Sequence, residues 1–151
     1  MIKIITVGKL KEKYLKDATE EYLKRLSKYT KVEIIELEDS KIDNETQALE
    51  EEKDKILKNI NPKDYIITLE IEGKQLSSVE FSELIDKTLI SNSNITFIIG
   101  SSYGIHKDIK EKSNYHLSFS KMTFPHQLFR IFLLEQIYRG YKILNNEKYH
   151  K

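Results

Sequence analysis

Apolar and polar positions alternate along this chain in two rhythms, one near two residues and one near 3.6, and the rhythms change places in a regular order. Ile2 to Val7 is an almost unbroken apolar run, the pattern of a strand covered on both faces, and Gly8 ends it. Leu15, Ala18, Tyr22, Leu26 and Tyr29 then recur at steps of three and four, which predicts a helix over 14–29. Lys31 to Leu37 alternates Val32, Ile34 and Ile35 with charged residues and reads as a second strand, followed by a polar loop from Glu38 to Asn44. Asp43 or Asn44 is placed to cap a helix carrying Ala48, Leu49, Ile56, Leu57 and Ile60, which Asn61-Pro62 stops; its Glu50-Glu51-Glu52 run reads as a solvated face. Asp64 to Leu69 is a third strand, after which Gly73 is expected to turn the chain. Ser77-Ser78-Val79-Glu80 has capping-box spacing for a helix reaching Ile90. Ile95 to Ile99 is the fourth strand, His116 to Ser118 a fifth after a short helix, and Pro125 to Leu144 a final long helix.

Helices between successive strands predict an α/β fold: a mostly parallel sheet covered by helices on both faces. At 151 residues the chain accommodates a single domain, 1–151, able to bury roughly two thirds of the surface its unfolded form exposes. Ligands on such sheets bind at the carboxyl ends of the strands, where loops converge. Leu69, Gly100 and the loop Phe119 to Phe124 each follow a strand, so they are expected to meet. The last of these, Phe119-Ser120-Lys121-Met122-Thr123-Phe124, combines hydroxyls with two phenylalanines and a methionine, a mixture that neither a turn nor a core requires.

Charge adds an asymmetry. The formal net charge is +1, yet residues 106–151 hold nine lysines and arginines against four acids, and all four histidines (106, 116, 126 and 150) lie there too. A basic final third points to a polyanion bound on one face, with Lys121, Lys142, Lys148 and Lys151 as candidate phosphate contacts. There is no cysteine, which excludes disulfides and thiolate metal sites and fits a cytoplasmic setting. The histidine spacing completes no ligand set, so no metal is expected. No run approaches the ~20 apolar residues of a membrane span. The final helix has no clean polar face, with Leu128, Phe129, Ile131, Phe132, Leu133 and Leu134 consecutive or nearly so; a homodimer would cover what one subunit leaves exposed.

The residues also carry a family resemblance. Phe97-Ile98-Ile99-Gly100, Gly104, Leu117-Ser118-Phe119-Ser120, Met122-Thr123, Pro125-His126-Gln127-Leu128, Arg130, Leu133-Leu134-Glu135-Gln136, Tyr138-Arg139 and Tyr149-His150 resemble the ribosomal RNA large subunit methyltransferase H family of SPOUT (alpha/beta-knot) methyltransferases. Ile4-Ile5-Thr6-Val7-Gly8-Lys9, Glu21-Tyr22-Leu23-Lys24-Arg25, Thr68-Leu69-Glu70 and Gly73-Lys74 extend the likeness to nearly the whole chain. The resemblance implies a C-terminal trefoil knot and a homodimer, with S-adenosyl-L-methionine as cofactor. It implies methylation of N3 of a pseudouridine in 23S rRNA on the assembled ribosome. By the same resemblance Leu69, Gly100, Phe119, Ser120, Lys121, Met122, Thr123 and Phe124 bind the cofactor, and a side chain at Gly100, as in Gly100→Val, would obstruct it. In the tail, His150 is a candidate acceptor of the N3 proton, Tyr149 a candidate stacking partner and Arg139 a candidate for stabilising charge or gripping phosphate. Ser101 departs from the family's usual second glycine and would be strained if its position demands positive φ. Two other classes stay open on the residues alone: a doubly wound enzyme binding a flavin or dinucleotide, though Gly100 to Gly104 lacks the G-x-G-x-x-G fingerprint, and a catalytically silent RNA-binding dimer.

Overall fold

A computed structural model describes residues 1–151. Its elements run β1 (Ile2–Val7), α1 (Lys13–Leu26), β2 (Val32–Leu37), α2 (Glu45–Leu57), β3 (Tyr65–Gln75), α3 (Ser78–Ser91), β4 (Ile95–Ile99), α4 (Lys107–Lys112), β5 (Tyr115–Ser118) and α5 (His126–Leu144). The five strands form one parallel sheet in the order β2-β1-β4-β3-β5. Alternation across the strands sorts the core into two halves. Ile2, Ile4, Ile67, Ile95, Phe97 and Leu117 pack with Leu26, Phe81, Ile85, Leu133, Leu134 and Ile137 beneath α1, α3 and α5. Ile5, Val7, Ile66 and Ile98 pack with Ile56, Ile105 and Ile109 beneath α2 and α4.

Local chemistry sets the helix starts. Asn44 Oδ1 accepts from Gln47 N at 3.0 Å and begins α2, and the Ser77/Glu80 capping box begins α3. Three expectations are corrected. The strand beginning near Asp64 does not end at Leu69: β3 continues to Gln75, with a register break against β5 between Leu69 and Lys74. Gly73 therefore does not turn the chain. A Cβ there would lie 2.8 Å from His116 C and O and 2.9 Å from Leu117 C, so glycine is required by the close approach of β5. The Glu50-Glu51-Glu52 run is not wholly solvated either, because Glu52 is only 3% exposed.

Position of α5 matters most for the site. From β5, at one edge of the sheet, residues 119–125 return past the ends of β3 and β4, and α5 starts beside β1. Buried Arg130 fixes it there, donating to Glu36 Oε2 at 2.6 Å, Thr6 Oγ1 at 2.9 Å and Gly8 O at 3.1 Å. Gln127 Oε1 accepts from Lys11 N at 3.0 Å. No helix is long and apolar enough to cross a membrane.

Candidate functional site

At the carboxyl ends of β3, β4 and β5 lies a cleft of about 500 Å³, within the size range of pockets that enclose small ligands. Seven of the eight residues expected at a cofactor site line it: Leu69, Gly100, Phe119, Ser120, Met122, Thr123 and Phe124. Lys121 is exposed and outside the lining. Aromatic packing shapes the loop's side of the cleft. The Phe119 ring sits 4.9 Å from that of Phe129, and Phe124 stacks on Phe129 at 6.2 Å. Ser118 Oγ donates to Ser120 O at 3.1 Å and Met122 N to Ser120 Oγ at 3.0 Å, folding the loop on itself.

The turn after β4 forms the opposite wall. Gly104 N donates to Ser101 O at 2.8 Å, and Gly104 adopts φ +85°, a conformation glycine takes without strain. A Cβ on Gly100 would lie 2.3 Å from Gly104 O, so the absence of a side chain at 100 is demanded by the turn itself. Gly100→Val would thus disrupt the wall before it met any ligand. Ser101 is not strained, since Asn146 is the only non-glycine residue with positive φ. Its buried hydroxyl donates to Glu52 Oε1 at 2.7 Å and accepts from Tyr103 N at 3.3 Å, while Glu52 Oε2 accepts from Ser40 N at 3.0 Å. The wall is anchored to α2 by an acid that sequence reasoning placed in solvent.

Sequence reasoning also missed the third wall. The register break in β3 places Glu70, Ile71 and Glu72 along the cleft. Glu70 accepts from Thr68 Oγ1 at 2.6 Å, is bonded to the His116 ring and lies 3.7 Å from Lys110 Nζ. The signal was two acids inside a strand pattern, Leu69-Glu70-Ile71-Glu72, just before a glycine.

The three candidate catalytic residues gather elsewhere. Arg139 and the tail meet at the far end of α5, about 15 Å along the helix axis from Phe129 at the cleft, at ~1.5 Å per residue. Glu135 is their hub. Its Oε1 accepts from Arg139 Nε at 2.7 Å and its Oε2 from Tyr149 Oη at 2.6 Å, with Tyr22 Oη at 3.5 Å. The Tyr149 ring meets Tyr138 edge-on at 5.0 Å, and the Arg139 guanidinium lies 4.8 Å from its centroid. Burial and the bond to Glu135 push the Tyr149 hydroxyl up to about 12, so it remains a neutral donor. Arg139 Nη1 reaches the exposed His150 at Nδ1, 3.1 Å away.

Lys142, a candidate phosphate contact, is engaged instead with Glu147 at 2.9 Å and lies over the Tyr29 and Tyr138 rings. Its bond to Glu147 raises its pKa well above the ordinary lysine range. Lys148 and Lys151 stay exposed on the tail. Apolar surface remains open around α5: Phe132 is 36% exposed and Met122 73%, with Leu128, Ile131, Ile143 and Leu144 only half-buried.

Comparisons with known proteins agree with this architecture. A family model described as "Predicted SPOUT methyltransferase" matches residues 1–150. The chain is 56% identical over 157 aligned positions to a protein of Clostridium tetani named ribosomal RNA large subunit methyltransferase H, covering 99% of each chain. It is 54% identical to a protein of the same name from Caldicellulosiruptor bescii, covering 100% of each. Among solved structures, a probable methylase family protein from Haemophilus influenzae Rd KW20 superposes with a TM-score of 0.58 at 15% identity, over 99% of this chain and 70% of that one. That likeness concerns the fold.

Proposed function

This chain belongs to the SPOUT methyltransferase family, and from that premise we propose that it transfers a methyl group from S-adenosyl-L-methionine to N3 of a pseudouridine in 23S ribosomal RNA. The observation that carries the reading is the single cleft at the strand ends, which collects the β3 end, the β4 turn and the 119–124 loop from three distant stretches of chain. The cleft fits the cofactor. Leu69, Phe119 and Phe124 offer apolar surface for an adenine, and the backbone of Gly100 and of the 119–124 loop offers polar groups for its edge. When bound, the cofactor supplies an electrophilic methyl on a sulfonium. What remains for the protein is to place a ring nitrogen in line with it and to stabilise the charge that develops on the base.

Arg139, Tyr149 and His150 are the groups for that work, but in one subunit they lie about 15 Å along α5 from the cleft, at ~1.5 Å per residue. A two-fold homodimer built on the exposed stripe of α5 resolves the separation. If the two α5 helices cross antiparallel, the amino end of one meets the carboxyl end of the other, and each cleft receives its partner's tail. Phe132 and its half-buried neighbours give such an interface its apolar centre. The return of residues 119–125 past the 100–104 turn is the place for the trefoil crossing of the family. Exposed Lys121, Lys148 and Lys151 would meet RNA phosphates, and the assembled ribosome in the cytoplasm would present the substrate.

The test is direct. Protein, methyl-labelled S-adenosyl-L-methionine and assembled ribosomes lacking the modification are incubated, and the large-subunit RNA is digested to nucleosides. The label is expected in N3-methylpseudouridine. Label on a different base or atom, or none from any ribosomal substrate, overturns the assignment.

A further inference from the structure

The contact between Arg139 and His150 determines more than proximity. A guanidinium has five N–H donors and no acceptor, so in a hydrogen bond between Arg139 Nη1 and His150 Nδ1, at 3.1 Å, the imidazole nitrogen must contribute its lone pair. A neutral imidazole carries one proton, and with Nδ1 accepting, that proton resides on Nε2. The exposed edge of His150 is then an N–H donor and has no lone pair with which to take a proton. Arg139 is held in turn by Glu135 Oε1 at 2.7 Å, while Glu135 Oε2 secures Tyr149, the residue next to His150, at 2.6 Å. One half-buried carboxylate thus holds both the guanidinium and the side chain of Tyr149, the neighbour of the residue that carries the imidazole.

We propose that Glu135 is a positioning residue that, through Arg139, holds His150 in its Nε2–H tautomer, so that the tail offers pseudouridine a hydrogen-bond donor instead of a general base. The inference rests on the reading that this tail contacts the target base. N3 of a pseudouridine lies between two carbonyls, and the negative charge it acquires on losing its proton spreads onto their oxygens. His150 Nε2–H is suited to one of those oxygens, as donors in an oxyanion hole are. In the balanced step the N3–H bond breaks with its proton passing to water, the N3 pair bonds the methyl carbon, and the carbon–sulfur bond breaks with its electrons left on sulfur. Arg139 adds its charge beside the imidazole, and the Tyr149 hydroxyl stays bound to Glu135 as a structural tie.

Two measurements on the full-length protein test this. Nitrogen-15 NMR of histidine-labelled protein at mildly alkaline pH, without ligand, is expected to show His150 as the Nε2–H tautomer, with Glu135→Gln producing a mixture of both tautomers. A proton on Nδ1 in the unaltered protein, or a tautomer indifferent to Glu135→Gln, overturns the positioning role. Methylation rates separate donor from base. His150→Gln retains an amide N–H but no basic nitrogen, and is expected within about tenfold of the unaltered enzyme, whereas His150→Ala falls by ~10²–10³, the usual loss for one such donor. If His150→Gln is as slow as His150→Ala, the donor assignment fails while the tail's role stands. If His150→Ala is unimpaired, the tail does not touch the base, and this inference falls with that reading. Glu135→Gln should lower kcat and leave cofactor affinity unchanged, since Glu135 bonds Arg139 and Tyr149 and is not among the residues that line the cleft.

Discussion

Ser101 shows how one hydroxyl can take the place of backbone freedom. Where the resembling family usually has glycine, this chain needs no positive φ and uses the side chain to tie the cleft wall to Glu52. Removing the hydroxyl leaves a buried carboxylate short of one partner. Ser101→Ala is therefore expected to cost about 1–3 kcal/mol in urea unfolding, the penalty for stranding a buried polar group, and to weaken S-adenosylmethionine binding in calorimetry as the 100–104 turn loosens. Unchanged stability and affinity would show that Glu52 is satisfied without it. Legibility at this scale followed chemistry. Phe119, Ser120, Met122, Thr123 and Phe124 were readable as lining of the strand-end cleft because their mixture suits neither a turn nor a core, and Gly100 because it ends an apolar strand. Glu52 was not readable: nothing local distinguishes it from Glu50 and Glu51, and only the fold, by bringing residue 101 beside residue 52, decides which of three acids is buried. The hub role of Glu135 was hidden for a related reason. Its spacing to Arg139 announced an ordinary i,i+4 pair, and the second bond, to Tyr149, depends on how the tail folds back.

Elements were legible where their rhythm was strong and unclear where a long-range contact intervened. The capping box at Ser77 and the Asn44 cap are local, and both form as the spacing predicts. Gly73 was misread as a turn because its reason, the backbone of β5 passing within van der Waals distance, lies more than forty residues away. The same dependence holds at the amino ends of the central strands, where β1, β3 and β4 are joined around a buried ion pair. Lys3 Nζ meets Asp64 Oδ2 at 3.1 Å, and that oxygen also accepts from Thr96 Oγ1 at 3.0 Å and Asn61 N at 3.0 Å. Burial alone would raise the Asp64 pKa, but the bonds from Asn61, Lys3 and Thr96 outweigh it and hold the carboxyl below its usual range. A carboxyl whose folded pKa is depressed contributes stability above its unfolded value, near pH 4, and loses it as pH falls through the folded value. Asp64→Asn is expected to cost about 3–5 kcal/mol at pH 7, mostly from leaving Lys3 buried without its counter-charge. The gap between variant and unaltered protein in denaturant midpoint should narrow only below about pH 4. A gap independent of pH down to 2 would mean that Asp64 acts through packing alone.

At the scale of the whole molecule, the fold class was legible because strand and helix rhythms alternate throughout, yet the sheet order and the separation of cleft from tail were not. The order rests on pairings between strands distant in sequence, and the separation on where α5 is placed by Arg130, which bonds Glu36, Thr6 and Gly8. That placement leaves each subunit with a cleft at one end of the helix and a candidate catalytic cluster at the other, so the proposed homodimer makes a quantitative demand. Two inactive variants are needed: Leu69→Arg, which sets a charge in the cleft, and Arg139→Ala, which removes the guanidinium from the tail cluster. Mixed in equal amounts and allowed to exchange subunits, half of the dimers contain one of each. In such a dimer the Arg139→Ala subunit keeps an intact cleft and receives an intact tail from its partner, while the other cleft is dead. About one quarter of the unaltered activity per subunit should therefore return. If cleft and tail served the same subunit, no pairing would restore a working site and the mixture would stay inactive. Adding Phe132→Glu to both variants, to place charges in the apolar stripe, should abolish the recovery and shift the protein to monomers in sedimentation. Recovery that survives this change would locate the interface away from α5.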